Sequence, residues 1–207
     1  MSPKVSESYK WEKRKEILQA ARQVFIKEGF TDATMQDIID KARISRGALY
    51  AYFDNIEHVF IEVLQFDDQE ELLLFEQNGD TFSWPHIKKW VLDQQIKIEA
   101  THQTLVLAKA EFFLSSKYVK NKDRFPYITE RYERIVEATK VVIEKGVERG
   151  EFKSRQSPES IAGFLISFLD GLMLNTFQLG PDRTNVSDQL SAILFSLEAM
   201  LCPVEEK

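Results

Sequence analysis

The chain has 207 residues, 43% apolar and 29% charged, with 8 Gly and 6 Pro. That composition excludes a disordered or fibrous chain, and the length suffices for a packed core in one domain or two small ones. The net charge of −6 argues against general affinity for nucleic acid, but residues 1–48 hold 10 Lys/Arg against 7 Asp/Glu while residues 49–207 hold 17 against 26. A basic head on an acidic body leaves phosphate binding open, because salt screens charge beyond about 10 Å.

The breakers fall mostly at the edges of helix-period runs, and no stretch alternates with period 2, so the expected fold is all-α with about nine helices. A first helix runs from Tyr9 to Glu28, with Ile17, Leu18, Ala21, Val24 and Phe25 on one face and Gly29 as its stop. A second starts at Thr34, whose hydroxyl caps it, with Asp37 favouring the positive helix end. A third runs from Ser45 to Phe53, after the short turn Ala42-Arg43-Ile44. A long fourth opens at Asp54 and continues to Gln77. The next starts at Ser83, followed by helices over Thr101–Ser116, Phe125–Glu148, Pro158–Leu179 and Asn185–Leu201. This divides the chain into a three-helix head, 1–54, and a helical bundle, 55–207.

The segment Thr34 to Phe53 is the most informative. Leu49 and Phe53 give the third helix an inner apolar face. Gly47, Ala48 and Ala51 lie opposite, so the outer face is small and lets the backbone approach another surface. Arg46, Tyr50 and Tyr52 flank it, and Ser45 adds a hydroxyl at an anion-attracting helix end. Such an element suits the major groove as a helix-turn-helix. By local physics alone it also suits an ordinary helical hairpin with exposed tyrosines.

The spacing Ile17-Leu18-x-Ala20-Ala21-x-x-Val24-Phe25-x-x-x-Gly29-Phe30, then Thr34-x-x-x-Ile38, then Ile44-Ser45-x-Gly47-x-Leu49-Tyr50-x-Tyr52-Phe53-x-x-x-Glu57 resembles the N-terminal domain of TetR-type transcriptional regulators. The resemblance implies a DNA-binding head, a ligand-binding body and a homodimer. Carried over by position, Thr34 contacts a phosphate, and Ser45, Arg46, Gly47, Ala48, Tyr50 and Tyr52 meet DNA. Lys10, Lys13 and Arg14 lie where such proteins place backbone contacts. Two positions depart from the family pattern. Arg43 stands where Gly is usual, and Ile56 where Lys is usual. Arg43 strains the turn if that residue needs a positive φ.

In the body, Gly163, Ser167 and Gly171 recur every four residues opposite the bulky face of the Pro158–Leu179 helix. An interior Gly costs about 1 kcal/mol against Ala, so close approach by another helix is expected. Together with Leu190, Leu194 and Leu197 these residues form the expected dimer seam, the alternative being close packing inside one chain. Phe66, Trp90, Phe112, Phe113, Phe168, Met173 and Asn175 are the candidates for lining an effector cavity. A mostly aromatic lining favours an apolar or flat ligand.

Other functions find little support. Glu99, His102, Glu111 and Asp170 form no nucleophile–base arrangement by spacing, so no enzyme is expected. Nothing indicates a metal or a cofactor: His58, His86 and His102 lack paired spacing, and there is no Gly-rich phosphate loop. The lone Cys202 fits a reducing cytosol. No apolar run approaches the roughly 18 residues of a membrane span, and the start of the chain lacks a signal-peptide core. The expectation is a cytoplasmic regulator, most simply a repressor, with a double-stranded operator, a small-molecule effector and a second copy as partners. The alternative is a helical adaptor or ligand-binding protein without DNA binding.

Overall fold

The computed structural model describes residues 7–78 and 84–204; the side chains of residue 7 and of residues 69–78 fall outside that description. The fold is all-α, as expected. Eleven α-helices are present among the described residues: α1 (Glu7–Glu28), α2 (Met35–Ala42), α3 (Arg46–Tyr50), α4 (Ile56–Asn78), α5 (Trp84–Glu99), α6 (Val106–Leu114), α7 (Ser116–Lys120), α8 (Pro126–Glu148), α9 (Pro158–Leu179), α10 (Pro181–Thr184) and α11 (Val186–Leu201).

They form two compact units, 1–69 with 105–120 and 70–104 with 121–207. The first holds α1–α3, the first part of α4, α6 and α7. Its core is Ile17, Ala21 and Phe25 of α1, Ile38 of α2, Leu49, and Val59, Phe60 and Val63 of α4, with Ala108 and Phe112 of α6. The second unit packs α8 and α5 against α9, and α11 against both α5 and α9. Ile87, Val91, Ile98, Val142, Ile143, Phe152, Ile161, Leu165, Leu190, Ile193 and Leu197 are among its buried residues.

Three local expectations change. The helix expected over Thr101–Ser116 is broken. A short 3-10 turn covers Thr101–Gln103, and α6 ends at Ser115, whose backbone is extended. The Ser115 hydroxyl donates to the Phe112 carbonyl and accepts from the Tyr118 N–H, so it ends one helix and starts the next. Asn55 rather than Asp54 caps α4, its side-chain oxygen accepting from the His58 N–H. The apolar stretch of α9 also exceeds the expectation. Among the described residues it is long and apolar enough to cross a membrane, by length and composition, though only 28% of that window is buried. It reaches that hydropathy because apolar Phe164, Phe177 and Leu179 are exposed beside polar Ser167, Asp170, Asn175 and Gln178. The expected helix start at Ser83 lies outside the described residues.

Candidate nucleic-acid interface and cavity

The head builds its turn from three backbone devices. Thr34 caps α2: its hydroxyl accepts from the Asp37 N–H at 3.2 Å, and its own N–H donates to the Asp37 carboxylate at 2.9 Å. Hydrogen bonds from Thr34 hold the Asp37 carboxyl below its ordinary value. The Thr34 hydroxyl also donates to Asp37. Both Thr34 donors therefore point at a carboxylate, and a phosphate contact requires the hydroxyl to turn away. Arg43 ends α2 in the left-handed region, φ 52° and ψ 48°, so this arginine does occupy a conformation that favours glycine. Ser45 then caps α3, its hydroxyl accepting from the Ala48 N–H at 3.2 Å.

This places the predicted groove residues on one exposed element. Leu49 points inward and is fully buried, whereas Ser45, Arg46, Gly47 and Tyr50 are exposed and Ala48 and Tyr52 half-buried. A side-chain carbon added at Gly47 would meet nothing within 4 Å. The Arg46 guanidinium lies over the Tyr50 ring, 5.4 Å from its centre. Lys13 pairs with Glu16 at 2.7 Å, and that bond raises its pKa; Tyr52 lies near enough to add to the effect. Arg14 is engaged inside the head, paired with Glu62 at 2.6 Å and set over Phe53.

Sequence reasoning gave Glu111 no role beyond a discarded enzyme reading. Its carboxylate accepts from the N–H groups of Phe30 and Thr31 at 2.6 and 2.8 Å. A side-chain carbon at Gly29 would come within 2.6 Å of it. The carboxylate of α6 thus holds the turn between α1 and α2, and Lys117 of α7 pairs with Glu57 of α4. No sequence signal points to this latch, because its partners are backbone amides 80 and 81 positions away.

The same docking corrects Phe112. It is 2% exposed and packs edge-on to Phe30 at 4.9 Å and against Phe60 at 5.2 Å. It belongs to the aromatic core of the first unit. Phe113 meets it edge-on and packs at a tilt against Tyr118. Phe66 is half-buried on α4, in the first unit as well. Trp90 and Met173 pack against the core of the second unit.

The expected seam residues also divide. Leu190 and Leu197 are 0% and 1% exposed and belong to the core of their own unit, which corrects their assignment to an interface; Leu194 packs against the same core. Among the described residues, a side-chain carbon added at Gly163 or Gly171 would meet nothing within 4 Å outside its own helix, so no close contact with a neighbouring described helix explains them. Phe164, Ser167 and Asn175 share the outward side of α9, and Phe195 of α11 is 75% exposed. Ser167, Phe168, Gly171 and Asn175 line one open cleft of about 430 Å³ together with Leu172, Leu179, Arg183, Thr184 and Gln189. Arg183 was not anticipated, since only the turns around α10 bring it there.

A three-helix head with an exposed, small-faced, cation-flanked third helix is that of a helix-turn-helix transcriptional regulator. Residues 17–63 match the family of bacterial regulatory proteins of the tetR type, and residues 86–187 match the tetracyclin repressor-like C-terminal domain. The chain belongs to the TetR family. It is 28% identical over 202 residues to the HTH-type transcriptional regulator YfiR of Bacillus subtilis, covering 97% of this chain and 98% of that one. It is also 28% identical over 159 residues to the repressor KstR2 of Rhodococcus jostii, covering 74% of each. Among solved structures, Salmonella enterica GusR superposes with a TM-score of 0.72 at 18% identity, over 96% of this chain and 98% of that one. The SmeT–triclosan complex gives 0.74 at 16% identity, over 94% and 93%.

Proposed function

We propose that this regulator is a repressor that binds a palindromic operator as a homodimer in the cytoplasm and leaves it when a small molecule binds the body. Recognition falls to residues 1–54, with dimerisation and effector binding in 55–207. The observation that carries the DNA reading is the outer face of α3. Gly47 leaves room for close approach, while Arg46 and Ser45 stand beside it exposed. Arg46 supplies the bidentate group that reads guanine. Lys13 and Thr34 position the head on phosphates once they release Glu16 and Asp37, and base contacts then supply sequence information. Ala48, Tyr50 and Tyr52 complete the contact face.

A homodimer is supported by the unpartnered Gly163, Ser167 and Gly171 on α9 and by exposed Phe164 and Phe195. Two heads have to lie about 34–36 Å apart to enter successive major grooves, which makes the dimer part of recognition. The repressor reading draws on relatives such as KstR2, and the effector reading on the triclosan held by SmeT.

The test is fluorescence anisotropy on DNA upstream of the gene itself. Arg46→Ala is expected to cost about 1–3 kcal/mol of operator affinity and relax preference at one base pair. Lys13→Ala weakens all sequences alike and lowers the salt slope by about one. No binding to that DNA, or equal affinity for Arg46→Ala and wild type, removes α3 from the readout.

A further inference from the structure

We infer that Tyr50 is a positioning residue for base readout, its ring holding the Arg46 guanidinium in place before DNA arrives. This rests on the α3 readout above and adds what sets its specificity. The Arg46 guanidinium carbon lies 5.4 Å from the centre of the Tyr50 ring, inside the roughly 6 Å reach of a cation–π contact. The two residues are the first and last of α3, four positions apart, and so share one face of the helix. Between them Gly47 has no side chain, Ala48 has only a methyl group, and Leu49 is fully buried on the inner side. The Tyr50 ring is therefore the surface that α3 itself offers to Arg46. At 42% exposure Tyr50 adds little to the core that Leu49 and Phe53 anchor.

The kind of restraint matters to the chemistry. Arg14, Arg22 and Arg149 are held by Glu62, Asp67 and Glu151 at 2.6, 2.7 and 2.8 Å, and each pair occupies N–H donors of its guanidinium. Among the described residues no carboxylate pairs with Arg46. An aromatic face instead restrains a guanidinium through its flat side and leaves the donor fork at its edge free for a guanine. A loose arginine loses rotamer freedom when it binds, and a side chain ordered in advance loses less. A ring that only touched phosphate or sugar would affect every sequence alike. A ring that positions Arg46 acts on the preference at one base pair.

The experiment is a double-mutant cycle on the full-length protein, with Arg46→Ala and Tyr50→Leu alone and together. Selection from a duplex pool of randomised sequence supplies the preferred site. Anisotropy then compares that duplex with one changed at the base pair whose preference Arg46→Ala relaxes. Tyr50→Leu is expected to cut the discrimination at this pair about two- to fivefold, the size of an exposed cation–π contact. In the Arg46→Ala background it should cut nothing further. Tyr50→Phe keeps the ring and should restore the discrimination, while its lost hydroxyl acts on all sequences alike. In the free protein, nitrogen relaxation at Arg46 Nε should show an ordered side chain in wild type and Tyr50→Phe and a mobile one in Tyr50→Leu. Unchanged discrimination in Tyr50→Leu, an equal loss with and without Arg46, or an Arg46 equally mobile in all three proteins overturns the positioning role and leaves the α3 readout standing. If the pool yields no preferred site, or Arg46→Ala relaxes no base pair, the readout itself falls and the positioning role falls with it.

Discussion

Helices α3 and α9 share one device and put it to different uses. Each carries glycine where an added side-chain carbon would meet nothing within 4 Å outside its own helix among the described residues, exposed Gly47 on α3 and half-buried Gly163 and exposed Gly171 on α9. The neighbours differ. Gly47 stands among Ser45, Arg46 and Tyr50, a cationic and hydroxylated setting. Gly171 stands among Phe164, Ser167 and Asn175, with one exposed charge, Asp170, beside it. A gap in the side-chain layer invites close approach, and the charge around it decides by what: a polyanion for α3, an apolar surface for α9. The supports differ too. Both carry a serine cap, Ser157 on α9 and Ser45 on α3, but α9 has 22 residues. Helix α3 has five residues, too few to stand without tertiary support. Its pose depends on what holds the turns around it.

The largest effect tests the division between inner and outer faces. Leu49→Ala empties a fully buried position on the inner side of α3 and should cost about 2–5 kcal/mol in thermal or urea unfolding. A cost near zero would mean that α3 is not anchored through this face. The outer faces should respond in the opposite sense. Gly47→Leu is expected to abolish operator binding without changing the sedimentation of the protein. Gly171→Leu is expected to weaken self-association by about 1–3 kcal/mol and to weaken operator binding only as dimer is lost. If Gly47→Leu dissociates the protein, or Gly171→Leu leaves it a folded dimer, the assignment of partners to the two helices is reversed or wrong.

The supports come next. Glu111→Ala leaves two backbone N–H groups without their acceptor and should cost about 1–3 kcal/mol. Glu111→Gln keeps a carbonyl oxygen there and should cost less. Hydrogen exchange at Phe30 and Thr31 reads the latch directly: faster exchange in the alanine variant is expected, and unchanged exchange would show that water serves those amides equally well.

The head was legible because its signals are local. Thr34, Gly29 and Ser45 act within three or four residues of where they stand, and their roles follow from chain geometry. The latch was not legible, because Glu111 serves amides that only tertiary packing brings near. The surroundings of Phe112 were hidden for the same reason. Its helix pattern specifies burial but not which unit buries it. On α11 the stripe Leu190, Leu194, Leu197 reads as apolar, and two of its members, Leu190 and Leu197, turn out to fill this chain's own core. Periodicity identifies a buried face, and a chain's own core and a partner's core are chemically alike. Arg183 lay in a four-residue helix set by two positive-φ turns, one of them at a non-glycine residue.

A smaller effect belongs to the cap of α2. Thr34→Ala should destabilise by about 1 kcal/mol at neutral pH. Thr34 holds the Asp37 carboxyl below its ordinary value of 3.8. A depressed carboxyl contributes stability above its unfolded pKa and loses it as pH falls through the folded one. The gap between wild type and variant should therefore narrow as pH drops below that range. A gap that stays constant in acid would assign the cost to the hydroxyl–amide bond alone.

The smallest effect concerns Arg43, and it separates stability from recognition. An L-residue in the left-handed region costs about 1–2 kcal/mol, and glycine removes that cost while adding freedom to the unfolded chain. Arg43→Gly should therefore raise stability by less than about 1 kcal/mol. The same change removes an exposed cation from the turn that precedes α3. If Arg43 faces a phosphate in the complex, the salt slope of operator binding falls by about one while base preference is unchanged. Melting and salt titration of one variant thus move in opposite directions, a more stable head that holds DNA less tightly. A variant that is stabilised with an unchanged salt slope would make Arg43 a strained turn residue with no part in binding. A destabilised variant would show that the arginine side chain itself supports the turn, and the short α3 would then depend on one more contact than its caps and the Glu111 latch provide.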